Sequence, residues 1–202
     1  MQDNEHGGLM RWEQLFSDLD ARFDELADAE MMAELADRER VATGAISTVE
    51  RLGGAAGHRL RVRTTAGLAV TGILAKVGPD WLLIQEGAGR EALLASSAVA
   101  IVEGLSAATG PAIKGVGLRL NLRYALRGVA RDRSPVAVVV SGGVGEPVSL
   151  YTEITGTIDR IGADFVEVAV HAPWEARRAA SVRSVVLVPL SAIVLVRALP
   201  LG

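Results

Sequence analysis

The 202-residue chain has no cysteine. That removes disulfide staples, thiolate catalysis and cysteine-based metal sites together, and makes a reducing cytosol the expected setting. Aromatics are scarce at 4%, so a chain that is 50% hydrophobic must build its cores from Val, Leu, Ile and Ala. Histidine is nearly absent as well. His6, His58 and His171 are scattered, without the spacing of a metal site. No GxSxG elbow and no GxxxxGK[ST] loop occurs, and Ser141–Gly145 (SGGVG) lies between apolar runs, where a hairpin loop explains it better than a phosphate cradle. The expectation is therefore a chain that is not an enzyme and needs neither cofactor nor metal. The opening MQDNEHGGLMRW lacks the basic and apolar regions of a signal peptide. The most apolar run, residues 184–196, is broken by Pro189 and Ser191. Spanning a bilayer takes about 20 apolar residues, so this run reads as two buried strands, with no membrane segment.

The formal charge of −3 is unevenly placed: residues 1–48 hold twelve acids against four arginines, a net −8, which leaves +5 on the remainder. Lysine occurs only at 76 and 114, with arginine supplying the other bases. An acidic head on a mildly basic body suggests that head and body meet, or that the body meets an anionic partner.

From Leu9 to about Val41 there is no proline, and Trp12, Leu15, Phe16, Leu19, Phe23 and Leu26 recur at helical spacing. They define the packing face of a long amphipathic helix. Gly44 is a break, and Val49 with Leu52 suggests a short second helix capped by Ser47 or Thr48.

Beyond residue 48 the texture changes to short apolar runs divided by glycine, an all-β pattern. Residues 71–84, TGILAKVGPDWLLI, match 155–168, TGTIDRIGADFVEV, without a gap. Thr, Gly, Gly and Asp are identical and six further pairs are conservative. SSAVAIV at 96–102 resembles LSAIVLV at 190–196, and RLRVR at 59–63 stands where PVAVV at 135–139 stands. Each copy follows a short helical stretch. The predicted division is an acidic helical arm over 1–48, a first small β-module over 49–106 and a second, with longer loops, over 107–202. Gly72 and Gly156 are placed inside the longest strand, where a bend or bulge would need them. Gly78, Asp80, Gly162 and Asp164 form tight turns.

A helix followed by five strongly bent strands, with glycine in the second, resembles the Sm-like (LSm) fold, over about 49–105 and 117–198. The resemblance implies two tandem small β-barrels and a tendency to assemble through strand edges. Sm-like proteins hold uridines with an Asp and an Asn in the loop between strands two and three. Here Asp80 and Asp164 are shifted, Leu82 and Val166 stand near the Asn position, and the second motif ends Val102-Glu103-Gly104 and Val196-Arg197-Ala198. Neither copy keeps the uridine-binding set. The overall layout also resembles an actinobacterial protein family, which adds no chemistry.

Arg119, Arg123, Arg127 and Arg131 are spaced four apart, a predicted helical stripe for an anionic partner beside an apolar line of Leu118, Leu122, Ala125, Leu126 and Val129. A solvated face, the chain's own acidic helix and nucleic acid all remain open as explanations. Trp174 with Arg177 and Arg178 is a candidate base-stacking loop or simply a loop anchor. The runs at 136–140 and 185–188 lack alternation, so both are expected to be covered on two faces. Two roles follow. One is a cytosolic, non-catalytic assembly or adaptor protein, homo-oligomeric or bound to a protein partner through the N-terminal helix and the barrel edges. The other is a nucleic-acid-binding regulator using the arginine stripe and the Trp174 loop. A small-molecule sensor in the cleft between modules is a third reading without supporting residues.

Overall fold

The computed structural model describes residues 6–87, 89–142, 151–172 and 182–199. The chain divides into two compact units, Met1–Ile46 and Ser47–Gly202. The first is a single helix, α1, His6–Gly44. The described members of its predicted packing face, Phe16, Leu19, Phe23 and Leu26, are exposed, as are Met31, Met32 and Leu35. The side chains of Trp12 and Leu15 lie outside the described set. No helix among the described residues is long and apolar enough to cross a membrane.

The second unit opens with α2, Thr48–Gly53, held by a reciprocal cap: Ser47 Oγ accepts the Glu50 N–H while Glu50 accepts from the Ser47 backbone N–H. Among the described residues ten antiparallel strands follow: β1 Arg59–Thr64, β2 Ala69–Val77, β3 Trp81–Gly87, β4 Arg90–Ala95, β5 Val99–Glu103, β6 Val136–Ser141, β7 Tyr151–Ile161, β8 Phe165–Val170, β9 Ser184–Pro189 and β10 Ile193–Ala198. A third helix, α3, Leu122–Asp132, precedes β6. In β1 strict alternation buries Leu60, Val62 and Thr64 and leaves three arginines outside. The unbroken run in β6 is buried through Val139, as its lack of alternation predicts.

The strands form one open sheet in the order β5-β1-β2-β3-β4-β10-β6-β7-β8-β9. Two closed barrels are therefore not seen. The free side of β4, which would have to return to β5 to close the first, is taken by β10. Both halves nonetheless run in the same order, with the last strand of each beside the first.

The matched segments 71–84 and 155–168 have the same form. Each is strand, tight turn and strand, with a register shift at Leu74/Lys76 in one and Ile158/Arg160 in the other. The glycines within them answer crowding rather than an unusual backbone angle. A Cβ at Gly72 would stand 2.1 Å from the Gln85 carbonyl oxygen, and one at Gly156 2.1 Å from that of Ala169. Gly78 and Gly162 lie under the rings of Trp81 and Phe165, 2.2 and 2.3 Å from a Cβ built there. The register shift comes two residues after Gly72 and Gly156, so the glycine admits the neighbouring strand and the bulge supplies the bend.

The run 184–196 divides differently from its prediction. In β10 Ile193–Val196 are buried, but β9 is an edge with Val185 and Leu187 exposed. An apolar run shows that a strand wants covering on both faces, and among the described residues of Ser47–Gly202 β9 is covered on only one.

Candidate functional site

The residues that join the two halves, and those left unjoined at the outer edges, form the candidate site. At the inner seam Leu94 pairs with Leu195, Leu93 with Val196 and Ala92 with Arg197. Arg197 then reaches across to Glu86 with two charge-assisted bonds, Nε–Oε2 at 2.8 Å and Nη2–Oε1 at 3.0 Å. A planar guanidinium meeting a carboxylate at two points fixes register as well as attraction.

Two further bonds lock the turn between β2 and β3 to the start of α3. Asp80 Oδ1 accepts the Leu122 N–H at 2.6 Å, and Trp81 Nε1 donates to the Leu120 carbonyl at 2.7 Å. Asp80 is thus more than turn chemistry, because its carboxylate serves the positive end of a helix. The linker from β5 to α3 is fastened too. Arg51 donates to the carbonyls of Ser106 and Ala108, and the Gly110 N–H donates to the Glu50 carbonyl at 2.7 Å. Gly54 and Gly110 allow that crossing, since a Cβ at either would fall within 2.6 Å of the opposing backbone.

The outer edges, β5 and β9, hold the same places in their halves as β10 and β4. Leu187 pairs with Glu167 as Leu93 pairs with Leu83, yet Leu93 is 6% exposed and Leu187 59%. Ile101 pairs with Arg63 as Leu195 pairs with Val139, and their exposures are 46% and 0%. The difference is the neighbouring strand, which the inner positions have and which the outer ones lack among the described residues. Sequence reading missed this asymmetry, although the exchange of Trp81 for Phe165 within a repeated motif was a visible signal that one turn needs an N–H donor and the other does not.

The arginine stripe is broken. Arg119 ends a 3-10 turn, Gly115–Arg119, and α3 starts only at Leu122, because Asn121 turns the chain out to accept the Tyr124 N–H with its side chain. Leu118 is exposed instead of packed. Leu122 and Leu126 are buried, with Ala125 and Val129 against the same core. Arg123 is partly buried and reaches the Ala163 carbonyl at 3.4 Å, while Arg127 and Arg131 are exposed beside Tyr124. None of the four forms an ion pair among the described residues. Trp174, Arg177 and Arg178 lie outside the described residues, as does most of the loop after Ser141.

A cleft of about 370 Å³ gathers Asp80, Ser97, Asn121, Arg123 and Ser191 at the start of α3. It makes a poor anion site because Asp80 already fills the helix terminus with negative charge. His171 is buried, with Nε2 2.9 Å from Thr157 Oγ1 and Nδ1 2.9 Å from the Ala172 carbonyl, a satisfied core pair. No three of His, Asp and Glu gather as a metal site among the described residues. No protein-family model, curated protein or solved structure matches the chain.

Proposed function

We propose that the chain is a cytosolic, non-catalytic assembly protein made of two Sm-like modules, whose outer edges β9 and β5 join successive copies as β4 and β10 join the halves within one copy. The observation behind this is the apolar exposure of Leu187 and Ile101, whose counterparts at the inner seam are covered. Unpaired edges carrying apolar side chains are a template for strand addition, and proteins that avoid it place lysine or other charge there. By the inner register, Val188, Leu187 and Val186 of one copy face Ile101, Val102 and Glu103 of the next. Pro189, which has no N–H, stands where Ala95 stands, one place beyond the three paired positions of the inner seam.

Light scattering on the full chain tests this. Mass is expected to grow with concentration beyond two chains, and Leu187→Lys or Ile101→Lys is expected to stop that growth without lowering the unfolding temperature. A wild-type mass that neither variant changes would overturn the proposal.

Nucleic-acid binding is the alternative reading, favoured by the exposed Arg127 and Arg131, which form no ion pair among the described residues. It requires affinity to fall with log salt at about −0.9 per phosphate contact, and the slope to flatten in Arg123→Ala/Arg127→Ala. Unchanged retention of the variant on duplex or single strand would remove it.

A further inference from the structure

The apolar line on α1 is spaced for one partner helix. Phe16, Leu19, Phe23 and Leu26 follow at three, four and three residues, and in the sequence the alternation extends back through Trp12 to Leu9. Steps of three and four average 3.5, the period that keeps a seam facing a single partner along a slight supercoil, whereas a globular face drifts at 3.6. The four described side chains of this line are exposed on a helix of 39 residues.

Charge placement selects the partner. With Leu9, Phe16 and Phe23 at one seam position and Trp12, Leu19 and Leu26 at the other, one flank carries Glu13, Asp20 and Glu34 around Ala27. The other flank carries Leu15, Arg22 and Ala29. In a parallel, in-register pair each residue of the second flank meets the residue five places on in the first flank of its partner. Leu15 then meets Asp20 and Arg22 meets Ala27 at the end of the stripe, so no like charges oppose one another. An antiparallel pair would set the acidic flank against itself.

We infer that α1 pairs with α1 of a second copy of this chain as a parallel two-stranded coil over residues 9–26. The inference names the partner of the helical arm within the assembly proposed above and rests on that reading, but it uses a different surface from the sheet edges. The stripe ends at Glu30, where the next seam position is charged, so the coil is short and of moderate strength. Residues 9–29 hold six acids and two bases, so two such helices repel at long range. Added salt should therefore strengthen the pair, the opposite of its effect on a helix docked to arginines.

Because the chain has no cysteine, single introduced thiols report geometry without background. In the full chain, Leu19→Cys lies on the seam and Asp18→Cys beside it faces away. Under mild oxidation Leu19→Cys is expected to give a covalent dimer at least about tenfold faster than Asp18→Cys. Phe23→Asp is expected to weaken the pair by about 100-fold or more. In Leu187→Lys, where edge growth is blocked, a discrete two-chain particle should persist and be lost on adding Phe23→Asp. Equal crosslinking at 18 and 19, or pairing that weakens as salt rises, would overturn the inference. Crosslinking through Leu19→Cys with mass unaffected by Leu187→Lys would leave the coil standing and remove the edge assembly.

Discussion

The carboxylate of Asp80 sits 2.6 Å from the backbone nitrogen of Leu122, so a turn in the first half caps the helix of the second. Its counterpart Asp164 serves its own half through the backbone, where its carbonyl accepts the Leu190 N–H at 2.7 Å. Asp80→Ala should destabilise the fold by about 1–2 kcal/mol, as removal of a helix cap does. Asp164→Ala keeps the backbone bond and should cost under about 0.5 kcal/mol. Urea denaturation of the two variants checks the contrast; equal losses would mean that Asp80 is only a turn residue.

Glycine substitutions should separate crowding from flexibility. Gly72→Ala and Gly156→Ala each force a carbon against a neighbouring carbonyl and should cost about 2–3 kcal/mol. Gly128 lies in α3, and the place a methyl group would take there is open, with no atom within 4 Å outside its own helix turn. Gly128→Ala should therefore stabilise by about 0.5–1 kcal/mol. Thermal melts of the three variants decide the signs.

Arg197 and Glu86 should be coupled. Their side chains are mostly buried, and a double-mutant cycle with Arg197→Gln and Glu86→Gln should return about 1–2 kcal/mol, above the usual value for an exposed pair. A coupling near zero would mean that the apolar pairs of the seam suffice.

The cap of α2 should respond to acid. The Ser47 hydroxyl, and after it the Ser47 backbone N–H, hold the Glu50 carboxyl below its usual range. A lowered value in the fold means that its contribution is complete above the ordinary carboxylate range and is lost as pH falls through the folded value. Stability of the wild type should therefore decline more steeply on acidification than that of Glu50→Gln. Parallel curves would show that the cap is not coupled to folding.

Much of this fold is legible in the sequence because its signals are local. The alternation in β1, the cap at Ser47 and the paired glycines each state a requirement that neighbouring residues satisfy. Where reading failed, the deciding neighbour was distant in the sequence. Nothing around Leu118 and Arg119 announces that Asn121 will begin the helix after them, since a four-residue spacing looks the same in a helix and in a 3-10 turn beside one. Val185 and Leu187 read as covered because apolar runs usually are, and whether the cover comes from the same polypeptide is not written in the run. Asp80 looks like Asp164 in the sequence because its role as an acceptor is set by a residue 42 positions away.

The crossing of the inter-module linker over α2, at glycines too crowded for any side chain, makes that connection a rivet. A tether can be lengthened, cut or rejoined elsewhere without consulting what it links, but this one shares backbone contacts with the helix beneath it. Severing the polypeptide there would not release two self-sufficient pieces. It would strip α2 of its cover, leave β4 without β10 and take from α3 the acid that caps it, and Ser47–Gly202 accordingly forms one compact unit.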